Sequence, residues 1–261
     1  MRTTAVRRAV LTVSALSLTL LATACGSGSG DSGAEAGGKA DPKQSASAPA
    51  AAAAKGKSAA ELAPLLVTQA DLPEHKVEPD AAAKAGAEQN ATPDKAECKP
   101  LVQLQTLVPL GKPAGTATVA ATEKPKKPAE GASVEDKLDA LKGGLAVTRT
   151  SVGLASYDDK GAQEAFGALK AATTACAGGY TVTQGTESTK IEKVGSSAAV
   201  TAGDESLAYN TVMDLKDGDK ATMQFVVVRK GDTLATFYAM NVTGEAAQPK
   251  AVVEAQAKKL G

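Results

Sequence analysis

The sequence contains few of the bulky side chains from which protein cores are usually built. Tryptophan is absent, and aromatic residues make up 3% of the chain. Every Phe and Tyr lies between Tyr157 and Tyr238. Because large apolar and aromatic residues dominate protein interiors, most of the packed core should lie in the second half. The first third is rich in Ala, Gly, Ser and Lys, which favours one folded domain behind a tail over two domains.

The motifs of common enzyme classes are also missing from the sequence. It has no Gly-rich phosphate loop, no Gly-x-Ser-x-Gly motif and no His/Cys/Asp cluster at metal-ligand spacing. The single histidine, His75, falls in a predicted polar loop, where solvent exposure is far more common than catalysis. A helix cap explains the pair Asp158-Asp159 better than paired catalytic carboxylates do. We therefore predict a protein that is not an enzyme and has no cofactor and no metal site.

The charge balance argues against nucleic acid as a partner. The whole chain carries 29 basic and 29 acidic residues. Loss of a signal peptide with Arg2, Arg7 and Arg8 would leave a mildly acidic mature chain. A nucleic-acid-binding protein normally presents a basic face, so we predict no nucleic-acid partner.

The first 24 residues have the pattern of a bacterial lipoprotein signal peptide. A basic start precedes the apolar run Ala9–Leu21, which is too short to span a bilayer. Small residues at 22–24 then precede Cys25, which resembles the lipobox of bacterial lipoproteins. That resemblance implies that Cys25 is diacylated and becomes the mature N-terminus, and two acyl chains hold a protein firmly on a membrane. The alternative is an ordinary secretory signal with an incidental cysteine.

Residues 25–57 are predicted to form a disordered tether that begins at the lipidated Cys25. Gly26–Gly30 contains only Gly and Ser, and the alanine run at 50–54 follows Ser, Pro and Lys residues. Such a composition cannot bury enough apolar surface to offset the entropy of ordering the chain. A flexible chain of about 30 residues spans roughly 30 Å. This predicts a domain at 58–261, lipid-anchored at the extracytoplasmic face of the cell membrane.

The strongest secondary-structure signal is a meander of three strands over 206–215, 221–229 and 233–242. Large apolar side chains recur at every second position along each segment, which is typical of half-buried strands. Asp217-Gly218 and Gly231-Asp232 fill the gaps, and both pairs suit tight hairpin turns. The meander therefore predicts an antiparallel sheet.

Helical patterns precede and follow this meander. A capping box at Ser58 predicts a short helix to Thr68, and apolar residues at helical spacing predict helices over 94–108 and 159–176. The other predicted elements are a strand over 145–157, weaker strands over 180–185 and 191–200, and a final helix after Pro249. Residues 112–135 are interrupted by Pro and Lys and are predicted to form a flexible loop. The predicted fold class is α+β, with helices packed on an antiparallel sheet in a single domain.

The order of these elements resembles that of a known family. The resemblance is carried by Leu65–Pro73, the Cys98 helix, a strand ending in Leu154-Ala155-Ser156-Tyr157, a helix ending in Cys176-Ala177-Gly178-Gly179, and Gly203-Asp204-Glu205. Together they look like the PknH-type extracellular sensor domain of actinobacterial Ser/Thr kinases, which also occurs on stand-alone lipoproteins. The similarity covers roughly residues 58–261. It implies an antiparallel sheet carrying helices, with a central cleft proposed to bind a ligand.

Two cysteines remain for a disulfide if Cys25 carries lipid. Export places the domain in an oxidising compartment, where paired cysteines usually form a bridge. Cys98 and Cys176 then allow a single pairing. Each lies on the apolar side of its own predicted helix, so both should face one core. We therefore predict a Cys98–Cys176 disulfide.

Two arginines stand out, because every other basic residue after the signal peptide except His75 is a lysine. Arg149 and Arg229 both fall on predicted strands, and arginine suits bidentate recognition of carboxylate or phosphate. We name Arg149, Arg229 and Tyr209 as candidate ligand-binding residues, with both arginines on one sheet face and within reach of a shared anion. The alternative is a solvent-facing salt bridge at each arginine.

These patterns predict a non-catalytic binding or sensor-type lipoprotein of the bacterial cell envelope. Its expected partners are the membrane, through the N-terminal lipid, and an unknown small molecule or envelope protein. The alternatives are a structural or assembly lipoprotein that binds another envelope protein, and a carrier of an apolar ligand. Pocket shape discriminates among them: an open cleft favours a sensor, a deep closed cavity favours a carrier, and a flat apolar patch favours a protein partner.

Overall fold

The computed structural model describes residues 55–80, 90–125, 128, 130–216, 218–241 and 243–261. All of them belong to one compact unit, Ala50–Gly261. The predicted signal peptide, the predicted lipidation site Cys25 and residues 26–54 of the predicted tether lie outside this part of the chain. None of the helices in the described ranges combines the length and the apolar character needed to span a membrane.

A single antiparallel sheet of nine strands organises the domain. In chain order, the strands are β1 His75–Glu78, β2 Ala91–Pro93, β3 Gly115–Glu123, β4 Thr148–Ser156, β5 Tyr180–Gln184, β6 Glu187–Ser196, β7 Glu205–Lys216, β8 Asp219–Lys230 and β9 Thr233–Asn241. In space, the order is β1-β3-β4-β9-β8-β7-β6-β5-β2. The predicted meander is β7–β8–β9, and the glycines of both hairpin turns, Gly218 and Gly231, have the positive φ that such turns require.

Helices pack on this sheet, as the sequence predicts for an α+β fold. The described residues contain α1 Ala59–Leu62, α2 Lys99–Gln105, α3 Val134–Leu145, α4 Gly161–Ala175 and α5 Lys250–Leu260. Short 3-10 helices at Ala63–Leu65 and Ala96–Cys98 adjoin α1 and α2. The predicted fold class, an antiparallel sheet carrying helices in one domain, is confirmed.

Both faces of the sheet are buried at its centre. On the first face, α2 and α4 pack over Phe225 and Val227 of β8. On the second face, α1 and α5 pack over Val226 and Val228 of the same strand. The prediction of half-buried strands is therefore wrong for β8. Its unbroken apolar run, Phe225–Val228, is the pattern of a strand buried on both sides.

The few aromatic residues are concentrated on the first face. The rings of Tyr209 and Phe225 stack with centroids 4.7 Å apart. Tyr238 continues the stack, with its centroid 5.0 Å from that of Phe225. These three residues lie on the neighbouring strands β7, β8 and β9, so one aromatic row ties the meander together.

The predicted flexible loop over 112–135 is wrong for much of its length. β3 fills Gly115–Glu123 and pairs with β4 on one side and β1 on the other, and α3 begins at Val134. The strand consists mainly of Thr and Ala, so its pattern gives a weak local signal. Hydrogen bonds to two neighbouring strands supply the stability that the local sequence lacks. His75, also predicted in a loop, begins β1.

The end of the predicted tether is part of the folded domain. The N–H of Gly56 donates to Asp158 Oδ1 at 2.8 Å, and the N–H of Lys57 donates to Ser156 Oγ at 2.9 Å. The Lys57 ammonium pairs with Asp232 at 2.8 Å. A Cβ at position 56 would lie 2.7 Å from backbone just after β4, so only glycine allows this approach. The folded domain therefore begins before Ser58.

The helix α4 begins without the predicted aspartate cap. Lys160 occupies the N-cap position and makes no side-chain capping bond. Asp158 instead binds the Gly56 backbone. The predicted apolar stripe of this helix is confirmed, because Phe166 and Leu169 are buried against the sheet.

Candidate functional site

A cavity of about 250 Å³ lies on the first face of the sheet, at the C-terminal end of α2. Its floor is the surface of β3, β4 and β9. Its roof is Leu104 together with the segment Leu107–Leu110, which we call the roof segment. The cavity therefore separates three sheet strands from a short irregular connection that follows a helix.

The floor changes in polarity along the strands. Strand register places its side chains in cross-strand rows, which are Thr116–Ala155–Leu234, Thr118–Gly153–Thr236 and, one step further, Ser151. The first row is mainly apolar and the others are polar. A molecule in the cavity would therefore meet carbon at the Leu234 end and hydroxyl groups at the Ser151 end.

Gly153 gives the floor its depth. A Cβ at this position would lie 2.8 Å from Thr236 Oγ1, inside ordinary contact distance. Thr236 itself donates a hydrogen bond to the Gly153 carbonyl at 3.3 Å. A glycine in the interior of a strand often marks a place where another group approaches the backbone closely, and here it opens the centre of the cavity.

Hydrogen bonds from side chains hold the roof segment in place. The hydroxyl of Tyr157 donates to the Leu110 carbonyl at 2.8 Å, and Gln103 Nε2 donates to the Pro109 carbonyl at 3.3 Å. Burial raises the pKa of Tyr157 to about 12. The phenol therefore stays protonated near neutral pH and keeps its donor, so the roof is formed before any ligand arrives.

The roof begins with a strained residue. The helix α2 ends in a Schellman motif, in which the Leu107 N–H donates to Leu104 O at 3.1 Å and the Val108 N–H donates to Gln103 O at 2.8 Å. Leu107 has a φ of 59°, at a position where glycine is usual. A left-handed conformation costs a non-glycine residue roughly 1–2 kcal/mol. Leucine nevertheless stands here, and it lines the cavity with apolar surface that glycine could not supply.

An ion pair lies at the polar end of the cavity. The Arg149 guanidinium contacts Asp80 Oδ1 at 2.6 Å through Nη2 and donates to Ser151 Oγ at 2.9 Å through Nη1. Asp80 is among the residues around the cavity, but its side chain is completely buried, whereas the Arg149 side chain is 29% exposed. An arginine that also holds a floor residue therefore fixes this buried carboxylate.

The two arginines predicted to share an anion are far apart. Both project from the first face, but their partners on β9 are about six residues apart, or roughly 20 Å along the strand. Arg229 is paired instead with Glu205 at 2.6 Å and with Asp204 at 3.2 Å. The hypothesis that Arg149 and Arg229 hold one anion is therefore wrong.

Tyr209, the third candidate ligand residue, lies in the core. Its side chain is buried and stacked on Phe225. Its hydroxyl has no hydrogen-bond partner among the described residues. Burial raises the pKa of Tyr209 well above its ordinary value. The structure therefore places Tyr209 in the aromatic row that packs the meander, away from the residues that line the cavity.

Most residues of the cavity carried no interpretable signal in the sequence. Thr116 and Thr118 fall in the stretch predicted as a loop, and Asp80 begins a polar stretch rich in Ala, Lys and Glu, for which the sequence predicts a loop or a weak helix. Gly153 was the detectable exception, since a glycine within a predicted strand points to a close approach or an opening. Of the named candidates, Arg149 alone lies at the site, and it acts there through Asp80 and Ser151.

A disulfide fixes the helix that carries the roof. Cys98 and Cys176 are bridged, as predicted, and their side chains are completely buried. Cys98 is the N-cap of α2, and Cys176 is the C-cap of α4. The bridge therefore joins the start of α2 to the end of α4, and the roof segment extends from the opposite end of α2.

The described residues contain no group of three His, Cys, Asp or Glu side chains arranged to hold a metal ion. Arg149 and Asp80 are the charged pair nearest the cavity floor. The chemistry that the lining offers is therefore hydrogen bonding from hydroxyl groups, beside apolar contact from the roof.

Comparison with known proteins adds one weak likeness. No described protein family and no curated protein matches this sequence. Among solved structures, the extracellular domain of PknH from Mycobacterium tuberculosis matches with a TM-score of 0.40 and 11% sequence identity, covering 79% of this chain and 95% of that chain. The resemblance predicted from the sequence is thus a weak structural one, and no argument below depends on it.

Proposed function

We propose that the protein is a non-catalytic, sensor-type binding lipoprotein that takes up a small molecule in the cavity beneath the roof segment. The observation that carries this proposal is a preformed cavity with an apolar roof and a floor of placed hydroxyl groups. Ligand sites are typically concave and mainly apolar, with a few polar groups that orient the ligand. The volume of about 250 Å³ lies just below the usual range of roughly 300–1,000 Å³, so the ligand is small.

The degree of enclosure favours a sensor over a carrier. Thr118 in the middle of the floor is exposed, and Val108 and Pro109 of the roof are only half-buried. A bound molecule would therefore remain partly visible to solvent and to another protein. A carrier of an apolar ligand would be expected to enclose it more completely.

A protein partner is the second candidate function, and one surface favours it. Val134 and Leu138 are 84% and 49% exposed, and they lie one helical turn apart on α3. Among the α3 side chains that the structure describes, these two form a strip smaller than the apolar patches that usually mark protein interfaces. The cavity therefore supports the small-molecule function better than α3 supports an assembly function.

The ligand-binding proposal predicts that Gly153→Val abolishes binding in the cavity. Two added methyl groups would stand at the centre of the floor, where even a Cβ lies 2.8 Å from Thr236. Because overpacking costs roughly 1–3 kcal/mol, affinity for any molecule in the cavity should fall by about tenfold or more. Native mass spectrometry of the purified domain, followed by titration with the ligand that co-purifies, measures this change.

Gly195→Val is the matched control for this variant. Gly195 also lies within a strand, and a Cβ there would lie 3.0 Å from a side-chain tip, that of Asn210. It does not line the cavity. The control should therefore retain the ligand. A folded Gly153→Val protein that keeps the same ligand at the same affinity would show that the molecule binds elsewhere.

The anchoring part of the proposal rests on the motif at 21–25, which lies outside the described residues. Cys25→Ala should release the protein from the membrane or stop its processing, because the acylated thiol is lost. Fractionation and the mass of the mature protein measure the effect. The Cys98→Ala/Cys176→Ala double variant serves as the control and should remain anchored. Retention of Cys25→Ala on the membrane at its normal mature size, after a high-salt wash, would contradict lipidation at this residue.

A further inference from the structure

Building on the proposed function, we propose that Leu107 is kept in a strained backbone conformation because its side chain binds an apolar group of the ligand. Leu107 is the first residue of the roof segment and lines the cavity. The ligand class is then a small molecule that carries an alkyl chain or an uncharged ring.

The backbone of Leu107 is unusual for its residue type. Among the described residues, Leu107 and Asp159 are the only non-glycine residues with a positive φ, at 59° and 52°. Aspartate can offset part of the cost through local hydrogen bonds of its short polar side chain, and leucine has no such group. Leu107 also occupies the position after a helix at which glycine is the usual residue. The sequence therefore keeps a leucine where glycine would relieve the strain.

Packing within the domain does not account for this leucine. Leu104 and Leu110, which also belong to the roof, are buried, whereas Leu107 is half-buried. In the described part of the chain, Leu107 belongs to neither of the hydrophobic clusters on the two sheet faces. Its side chain therefore contributes less to the core than a buried leucine does, and it lies at the cavity instead. Backbone strain that the packing of the fold does not explain is typical of functional sites.

The side chains around Leu107 define the chemistry of the group that it would hold. The roof supplies three leucine side chains, and the floor supplies Leu234 and Ala155. An alkyl chain or ring that leaves water for this surface is stabilised in proportion to the apolar area that it buries. A charged group would lose its hydration there without gaining a hydrogen bond. Leu107 therefore favours the apolar part of a ligand, and the hydroxyl groups of the floor remain for its polar part.

Two substitutions at this position separate the side chain from the backbone conformation. Leu107→Ala removes the ligand contact and keeps a residue that is strained at positive φ, whereas Leu107→Gly removes the contact and relieves the strain. Both variants should bind an apolar probe about fivefold or more weakly than the wild type. In urea titration, Leu107→Gly should nevertheless have an unfolding equilibrium constant about threefold or more below that of Leu107→Ala.

The probe is 1-hexanol, titrated into the wild-type protein and into each variant and followed by two-dimensional NMR. Saturable shifts of the Gly153 amide would place hexanol in the cavity and give its affinity. Asp159→Gly is the matched control, because it relieves the other non-glycine residue with a positive φ, which is exposed and does not line the cavity. This control should bind hexanol as the wild type does.

Equal stability of Leu107→Ala and Leu107→Gly would show that the residue is not strained. Hexanol affinity within about twofold of the wild type in both variants would show that the side chain does not hold the ligand. Either result, or a wild-type protein without saturable hexanol binding, overturns the role of Leu107.

Gly153→Val separates this failure from a failure of the proposed function. Loss of hexanol binding in Gly153→Val, with full binding in both Leu107 variants, would leave the cavity as the site and remove only Leu107 from recognition. If Gly153→Val leaves the hexanol affinity unchanged, the probe binds outside the cavity, and the role of Leu107 and the proposed function fail together.

Discussion

Replacing Cys98 and Cys176 together by alanine should lower the free energy of unfolding by up to about 4.5 kcal/mol. The bridge closes a loop with a sequence separation of 78. Chain entropy in the unfolded state gives roughly this value for such a loop, as an upper figure. Domains are commonly stable by about 5–15 kcal/mol. The loss is therefore a large share of the total, in a domain with no tryptophan and few aromatic residues.

The same variant should also weaken the cavity. The bridge holds the start of α2 against the end of α4, and the roof segment continues from the far end of α2. Without the bridge, α2 would be held mainly by apolar contacts such as those of Leu101 and Leu104. Affinity for a molecule beneath the roof should therefore fall along with stability.

Urea unfolding followed by circular dichroism measures the stability of the protein with the disulfide intact and with it reduced. Thiol titration shows which of the two forms is present. Wild-type protein denatured without reductant should show no free thiol from Cys98 or Cys176. Reductant should shift the wild-type midpoint toward that of the double alanine variant and leave the variant itself unchanged. A variant within about 1 kcal/mol of the wild type would show that the bridge adds little to stability, well below the expected range.

Gln256→Leu should lower the free energy of unfolding by about 2–4 kcal/mol, the second-largest expected effect. Gln256 lies on α5 and is completely buried. Its Oε1 accepts the Val67 N–H at 3.0 Å, and its Nε2 donates to the Leu65 carbonyl at 2.7 Å. Leucine fills a similar volume but satisfies neither backbone group. Each buried group left without a partner costs roughly 1–3 kcal/mol.

The two hydrogen bonds removed by Gln256→Leu lie on the second face of the sheet. The segment at 65–67 is the connection after α1, and the bonds from Gln256 tie it to the C-terminal helix across a sequence separation of about 190 residues. Hydrogen exchange should therefore show faster exchange at Val67 in the variant. The cavity lies on the first face, so binding there should change little at temperatures where the variant remains folded.

Gln163→Leu provides the matched control, because Gln163 lies on α4 and is exposed. Its free energy of unfolding should stay within about 0.5 kcal/mol of the wild type, as expected for a surface substitution. Urea titration of both variants gives the comparison. Equal stabilities for Gln256→Leu and Gln163→Leu would show that water satisfies Val67 and Leu65 after the glutamine is removed.

Local signals in the sequence were enough to predict the meander, α4 and the disulfide. Each strand of β7–β9 carries its own apolar pattern, and glycine marks the turns between them. The stripe through Phe166 and Leu169 is contained within one helix. The pairing of Cys98 with Cys176 required only a count of the cysteines once Cys25 was assigned to lipid.

The cavity could not be predicted in the same way, because its parts meet only in the folded chain. β3 has a Thr- and Ala-rich sequence, and it becomes a strand through pairing with β1 and β4 on either side. Asp80 reaches Arg149 across a separation of 69 residues. The prediction that Arg149 shares an anion with Arg229 was wrong, because no local pattern shows that a distant carboxylate already pairs with the Arg149 guanidinium.

The amino-acid sequence by itself determined which segments form the central strands and the long helix, that the two later cysteines pair, and that the common enzyme motifs are missing. Those properties follow from residue type and short-range periodicity. Only the tertiary structure decided that both faces of β8 are buried, that Gly56 belongs to the domain, and that Gly153 opens a cavity beneath Leu107–Leu110. Those properties arise from packing and hydrogen bonding between residues far apart in the chain, which local propensity does not encode.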